Sequence, residues 1–362
     1  FILQIAHNVA CFILVLIIVE LHDISQLISL LFFTIALIAG TSFIGITLLL
    51  SYTSKPLKYL GFDVKYKDIK LKNKMILLNT LIVMIILSTT FFALSLTVSS
   101  IIKNKAYENA TQTAYRYSNL IKSKIEIALD ASRTIAHSFQ GLKESGITDR
   151  KTYNSILRHV LEKMPQILGI WTCWEPDALD GQDRSYANKE GHDASGRFIP
   201  YWNRGTGSII LEPLVNYTKP GEGDYYLVAR NTGRETIIEP YIYPIAGKKL
   251  LMTSIAVPIT VKEKIVGVIG IDYSLEAFQK ITNSIKLYGK SYNFIITQKG
   301  TLVSHPKKEL IGKNVIGATT EKENLKLILE KLKNKSPYSS VIKAQRLEAD
   351  IYRVMVPVEF GN

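Results

Sequence analysis

Polar residues are nearly absent from two long stretches near the start of the chain. Leu27 to Leu50 is an apolar run without a charge, and Met75 to Val98 is a second, broken only by Asn79 and some hydroxyl residues. Either is long enough to cross a bilayer as a helix. Phe1 to Val19 is a third, weaker candidate because it holds Gln4, His7 and Asn8. A buried core helix is the alternative for such runs, but runs this long and this free of charge point to membrane spans.

Beyond the second run the pattern changes to helical spacing. Ala110, Ala114, Tyr117, Ile121, Ala128, Ala131, Ile135 and Phe139 recur at steps of three, four or seven, and no Pro or Gly intervenes before Gly141. The spacing predicts one helix over Ser100 to Phe139, continuing out of the span. Such a helix suits a stalk paired with a second copy, a helix lying on its own domain, or both. Tyr153, Ile156, Leu157, Val160, Leu161 and Met164 predict a second amphipathic helix, which Pro165 ends.

Strand signals follow. Ile167 to Trp174, "ILGIWTCW", is a short apolar run before a turn-rich segment, and "KKLLMTSIAVPITVKEKIVGVIGIDYS" reads as two strands joined at Lys262 to Lys264. "YNFIITQKGTLVSHP" predicts a smaller hairpin turning at Lys299-Gly300. A helix is expected over Thr320 to Leu332 and a strand in "ADIYRVMVPVEF". Helices ahead of a mostly antiparallel sheet make an α+β fold.

Charge adds a topology. The loop Thr53 to Lys74 carries seven lysines against Asp63 and Asp68. The positive-inside tendency places it in the cytoplasm, so the chain beyond Lys103 is extracytoplasmic. The net charge of +13 is therefore partly an inner-loop property and not a nucleic-acid footprint. The chain opens within an apolar run without an initiator methionine and reads as truncated at its start. Cys11 would lie in the membrane and Cys173 outside it, so they cannot pair within a subunit.

Catalytic signals are sparse. The six histidines are scattered without metal-site spacing, and His305, ahead of Pro306, reads as structural. Asp177, Asp180 and Asp183 do not fit a calcium loop and read as a solvated turn. No catalytic residue, metal or cofactor is expected. What stands out is the aromatic load between Trp171 and Asp272, which includes every tryptophan of the chain. Such side chains either line a pocket for a small polar molecule or pack the sheet on its helices. With a carboxylate they can hold an amine, and with an arginine a carboxylate.

The run of "ILGIWTCWEPDALDGQD", "GRFIPYW", "EPYIYP", "LMTSIAVPI" and "GVIGIDYSLE" behind a long helix resembles the double Cache (dCache) sensor of bacterial methyl-accepting chemotaxis proteins. "FIITQKGTLVSHPKKELIGKNV" resembles the start of that domain's membrane-proximal module, and the resemblance covers about Lys70 to Asn362. It implies two PAS-like antiparallel-sheet modules, the second apparently truncated. The expected organisation is spans and basic loop over 1–74, a transmembrane helix over 75–101, a membrane-distal ligand-binding module over 102–273 and a proximal module over 274–362. Amino-acid-binding members carry an arginine and an adjacent Trp-Tyr, a tyrosine in Glu-Pro-Tyr, and an aspartate ending Gly-x-x-Gly-x-Asp. Tyr241 and Asp272 match the last two; Tyr201-Trp202 stands in reversed order, and Arg197 lies two residues before Ile199, which occupies the arginine's place. The resemblance thus implies a ligand site of Arg197, Tyr201, Trp202, Tyr241, Tyr243 and Asp272.

The function so implied is sensing by a dimeric chemoreceptor in the bacterial cell membrane. Its ligand is a small polar molecule of the amino acid, amine, carboxylate or purine class. Its signal goes to cytoplasmic proteins through an output domain beyond Asn362. The sensor of a histidine kinase or diguanylate cyclase, a membrane-anchored enzyme and a structural stalk are the alternatives.

Overall fold

The computed structural model describes residues 71–285, 291–315, 322–344 and 349–359. The spans expected at Phe1 to Val19 and Leu27 to Leu50, and nearly all of the basic loop, lie outside them. The chain divides into two compact units, Phe1–Ala106 and Tyr107–Asn362.

Helix α1, Leu71–Glu144, is continuous over 74 residues, so the expected span and the expected stalk are one element. In the first unit it exposes Ile76, Leu81, Met84, Phe91, Phe92 and Leu96. Among the described residues it is the one helix long and apolar enough to cross a membrane. In the second unit Ile121, Ala128, Ile135 and Phe139 of the expected stripe are buried. Helix α2, Arg150–Lys163, starts at Asp149, whose carboxylate accepts the Thr152 N–H at 2.9 Å.

The second unit is built on a seven-stranded antiparallel sheet. Its strands are β1 (Gly169–Trp174), β2 (Pro200–Asn203), β3 (Ile210–Pro213), β4 (Thr236–Ile237), β5 (Tyr241–Ile245), β6 (Lys248–Val261) and β7 (Lys264–Ser274). The order is β3-β2-β1-β7-β6-β4, with β5 also paired to β6. The long hairpin β6–β7 turns through Lys262 and Glu263, both at positive φ (48° and 63°), the paired left-handed geometry that follows the twist of its strands. Two short helices, α3 (Asp183–Tyr186) and α4 (Asp224–Thr232), interrupt the strand order. After β7 come α5 (Leu275–Ser284), the pair β8 (Ile295–Ile296) and β9 (Leu302–Ser304), α6 (Lys322–Lys333) and the pair β10 (Tyr338–Ala344) and β11 (Ala349–Met355).

Strand alternation gives the main sheet two apolar faces. Ile170, Trp174, Ile255, Val257, Ile269 and Ile271 pack with Ile125, Phe139, Tyr153 and Leu157 of α1 and α2. Trp171, Cys173, Tyr201, Met252 and Val268 point the other way, under Tyr225, Tyr226 and Ala229 of α4.

Asp180 and Asp183, expected in a solvated turn, are instead nearly buried. Arg150 bridges them at 2.7 and 2.6 Å and also donates to the Gly196 carbonyl at 2.7 Å. Gly196 (φ +68°) is required there because a Cβ would sit 1.9 Å from the Asp183 carbonyl oxygen. Removing one partner leaves buried charges uncompensated, so Arg150→Ala should cost about 3–5 kcal/mol. Urea unfolding of the full chain in detergent checks this.

His305 caps the turn that follows it: its Nδ1 accepts the Lys307 N–H at 3.0 Å. Cys173 is fully buried, and burial pushes its thiol pKa up, away from reactivity.

Candidate functional site

The site is assembled from alternate positions of neighbouring strands. The β6–β7 register sets Ser254 opposite Asp272, and β1–β7 sets Gly169 opposite Asp272 and Trp171 opposite Gly270. All of these therefore face the α4 side. The Asp272 carboxylate is 2% exposed. Its Oδ1 accepts the Trp171 indole N–H at 2.9 Å and the Ser254 hydroxyl at 2.6 Å. The Tyr241 hydroxyl and Ser254 Oγ are 2.6 Å apart.

Two glycines make room for the rings. A Cβ on Gly270 would lie 2.0 Å from the Trp171 ring, and one on Gly169 would lie 2.6 Å from the Tyr201 ring. Both rings thus lie directly on sheet backbone. Tyr225 of α4 closes the far side, edge-on to Trp171 at 5.2 Å and to Tyr243 at 5.4 Å, and stacked on Tyr241 at 5.9 Å. Tyr243 is edge-on to Tyr201 at 5.5 Å. Trp171, Tyr201 and Tyr225 are each 1% exposed. The aromatic edges and faces surround a single carboxylate.

Burial pushes the Asp272 carboxyl up to about 6, against the hydroxyl and indole donors of Ser254, Trp171 and Tyr201 that face it. Among the described residues no cation is one of the groups acting on it. The Tyr201 hydroxyl is buried beside this carboxylate, with no well-aligned hydrogen-bond partner among the described residues. Its pKa is raised first by burial and then by the Asp272 charge. An acid, a free phenol oxygen and ring faces together can hold a small cation and accept its N–H bonds.

Of the six residues implied by the resemblance, the structure brings Tyr201, Tyr241, Tyr243 and Asp272 together. Trp202 lies on the opposite face, because adjacent residues of β2 alternate. Its indole N–H donates to Asn154 Oδ1 at 3.0 Å, and Arg158 stands 5.6 Å over its ring. Arg197 is also elsewhere. Its Nε donates to the Trp174 carbonyl at 2.9 Å, its Nη2 reaches the Tyr226 hydroxyl at 3.3 Å, and it covers the Tyr217 ring at 4.8 Å. Asp272 pairs with Gly169, whereas Arg197 is held at Cys173 and Trp174, four or five positions along β1. At ~3.3 Å per residue their backbone anchor points are about 13 Å apart along the strand, and the Arg197 guanidinium is already engaged there.

Sequence reading missed Trp171, Ser254 and Tyr225 as site residues. Ser254 carried a signal, since Thr253-Ser254 is a polar pair inside the apolar run "LLMTSIAVPI". Its meaning depended on the register with Asp272. Tyr225 lies between the Tyr201-Trp202 and Glu-Pro-Tyr motifs, in a stretch where the structure shows β3 and α4.

Compared with known families, residues 98–336 match the profile described as Cache domain, dCache_1. The chain belongs to the Cache domain family. Its double Cache sensor is of the kind carried by methyl-accepting chemotaxis proteins. Methyl-accepting chemotaxis protein TlpQ of Pseudomonas aeruginosa is 29% identical over 178 residues, 45% of this chain and 25% of that protein. PscA of Pseudomonas syringae is 31% identical over 122 residues, 32% of this chain and 19% of that protein. The chain thus spans a quarter or less of these curated relatives. Among solved structures, the extracellular domain assigned to histidine kinase mmHK1S-Z3 superposes with a TM-score of 0.64 at 29% identity, covering 71% of this chain and 91% of that one. Methyl-accepting Chemotaxis protein X gives 0.59 at 25% identity, covering 70% and 91%. This Cache domain therefore shares its fold with extracellular sensors of two receptor types.

Proposed function

We propose that this Cache domain senses a small primary amine outside the cell, gripped at Asp272 by the Trp171, Tyr201, Tyr225, Tyr241 and Tyr243 cage. The observation that carries the reading is a buried carboxylate, ringed by aromatics, with no cation among the described residues acting on it. The unpartnered Tyr201 hydroxyl supplies a further acceptor for an ammonium N–H. A free α-carboxylate on the ligand would enter this site beside Asp272 while the Arg197 guanidinium is taken up by the Trp174 carbonyl and the Tyr217 and Tyr226 side chains, so like-charge repulsion disfavours amino acids.

The receptor is a chemotaxis transducer anchored by α1 and its neighbouring spans, signalling through an output domain beyond Asn362 to cytoplasmic partners. Two copies pair along α1, where Leu120 and Ile127, seven residues apart, are exposed on one face at 42% and 51%. A histidine kinase sensor is the second reading, favoured by the 0.64 TM-score with such a domain.

Calorimetric titration of the full chain in nanodiscs tests the ligand class with matched pairs, tyramine against tyrosine and phenethylamine against phenylalanine. Amines should bind at least ~100-fold more tightly than their parent acids, consistent with the cost of an unpaired charge in a buried site. Equal binding of the acids, or no binding of any amine, contradicts the reading. Because the amine needs the ionised carboxylate, its affinity should be level above pH 6 and fall by about tenfold per unit as pH drops below it.

A further inference from the structure

The cage is closed: Trp171, Tyr201, Tyr225 and Asp272 are each 2% exposed or less. A ligand reaches Asp272 only if a covering element moves. Strand β5 is fixed to β6 by five register pairs. Helix α4 is held differently. It has nine residues, starts after Gly221 and Gly223, and ends at Gly233, whose φ is +64°. Glycines at both ends give its flanks the backbone freedom for rotation.

Besides its buried Tyr225, Tyr226 and Ala229 and the 2.7 Å bond from the Tyr225 hydroxyl to the Val215 carbonyl, α4 is held down by a compact polar cluster outside the cage. Arg230 donates to both oxygens of Glu175, Nε to Oε1 at 3.1 Å and Nη2 to Oε2 at 3.1 Å. The Tyr226 hydroxyl donates to the same carboxylate and accepts from Arg197 at 3.3 Å. Glu175 is anchored through its N–H to the Val266 carbonyl of β7 at 2.8 Å. Burial alone would raise its pKa, but the Arg230 and Tyr226 hydrogen bonds outweigh it and hold the acid ionised. Just past Gly233, Glu235 is clamped by Arg133 of α1 with two bonds of 2.6 Å.

We infer that α4 is a lid over the Asp272 cage, hinged beside the Glu235–Arg133 clamp and latched shut at Glu175 by Arg230 and Tyr226. Arg197 is then a positioning residue for the latch. It braces Tyr226 from the rigid end of β1 and has no direct role in gripping ligand. The bidentate geometry gives the latch a defined closed position, and its partly exposed Arg230, at 46%, makes it releasable. Lifting α4 withdraws Tyr225 and uncovers Trp171, while β6 and β7 keep Asp272 and Ser254 in register.

This inference rests on the cage being the ligand site, but its test needs no ligand. Amide hydrogen exchange is followed by mass spectrometry on the full chain in nanodiscs, for the wild type and for Glu175→Gln and Arg230→Gln. Exchange over 224–232 should accelerate roughly tenfold in each variant, as for loss of a charge-assisted bidentate pair. Peptides from β1, β6 and β7 should be unchanged. Unchanged exchange in 224–232 overturns the latch, and so does a rise spread evenly over the sheet, which would mark a general structural role.

Discussion

Replacing Asp272 by asparagine should make the protein more stable while abolishing its amine binding. The Asp272 carboxyl is raised from 3.8 to about 6 chiefly by burial, so the folded state holds the proton more tightly than the unfolded chain does. Its favourable contribution is complete below pH 4 and is lost as pH rises through about 6. At neutral pH the ionised form therefore costs about 3 kcal/mol, from roughly two pKa units at ~1.4 kcal/mol each. Asparagine keeps the shape: its Oδ1 can accept from Trp171 and Ser254, and its amide can donate to the orphaned Tyr201 hydroxyl. Urea unfolding at pH 7.5 should show a gain of about 1–3 kcal/mol that vanishes at pH 4. A carboxylate that weakens the fold at neutral pH matches the trade expected of a binding site, as proposed for Asp272.

Gly270→Ala should be among the most damaging single-methyl additions in the domain. Gly270 lies at the centre of β7, with β1 on one side and β6 on the other. Its added Cβ would fall 2.0 Å from the Trp171 ring, which is itself 1% exposed and pinned to Asp272. The indole has nowhere to shift without breaking that bond and the edge contact with Tyr225. Overpacking of this kind costs typically 1–3 kcal/mol, and loss of a buried hydrogen bond brings the expected total to about 3–5 kcal/mol. At Gly267 a Cβ would meet its nearest atom, the Cys173 carbonyl oxygen, at 3.0 Å, so Gly267→Ala should cost clearly less. Comparing the two variants by urea unfolding separates ring displacement from a generic loss of strand glycine.

Much of this architecture is visible in the order of residues. The two helices, the β6–β7 hairpin and its turn at Lys262–Glu263 follow from apolar spacing and a local charge cluster. Short elements left weaker traces. Strands β2 and β3 have four residues each, too few for alternation to stand out, and α4 hides between glycines that read as loop.

The site was legible only in part for a related reason. The resemblance put Tyr201 and Trp202 side by side as pocket walls, but residues adjacent on a strand face opposite sides, so only Tyr201 joins the cage. Arg197 is near in sequence and remote in register, its guanidinium taken up by a carbonyl and two tyrosine rings. The aspartates near 180 looked solvated because their partner, Arg150, lies on another element and its charge is matched only in the folded state.

The central claim is that a ligand's cationic end is held by Asp272 among the tyrosines, without the contacts from Arg197 and Trp202 that the resemblance added to that site. Calorimetric titration of tyramine at pH 7.5 into the wild type, Asp272→Asn and Trp202→Phe tests it directly. The account predicts wild-type affinity for Trp202→Phe, within about threefold, and at least ~100-fold weaker binding for Asp272→Asn. Undiminished binding by Asp272→Asn, or a loss confined to Trp202→Phe, would contradict it.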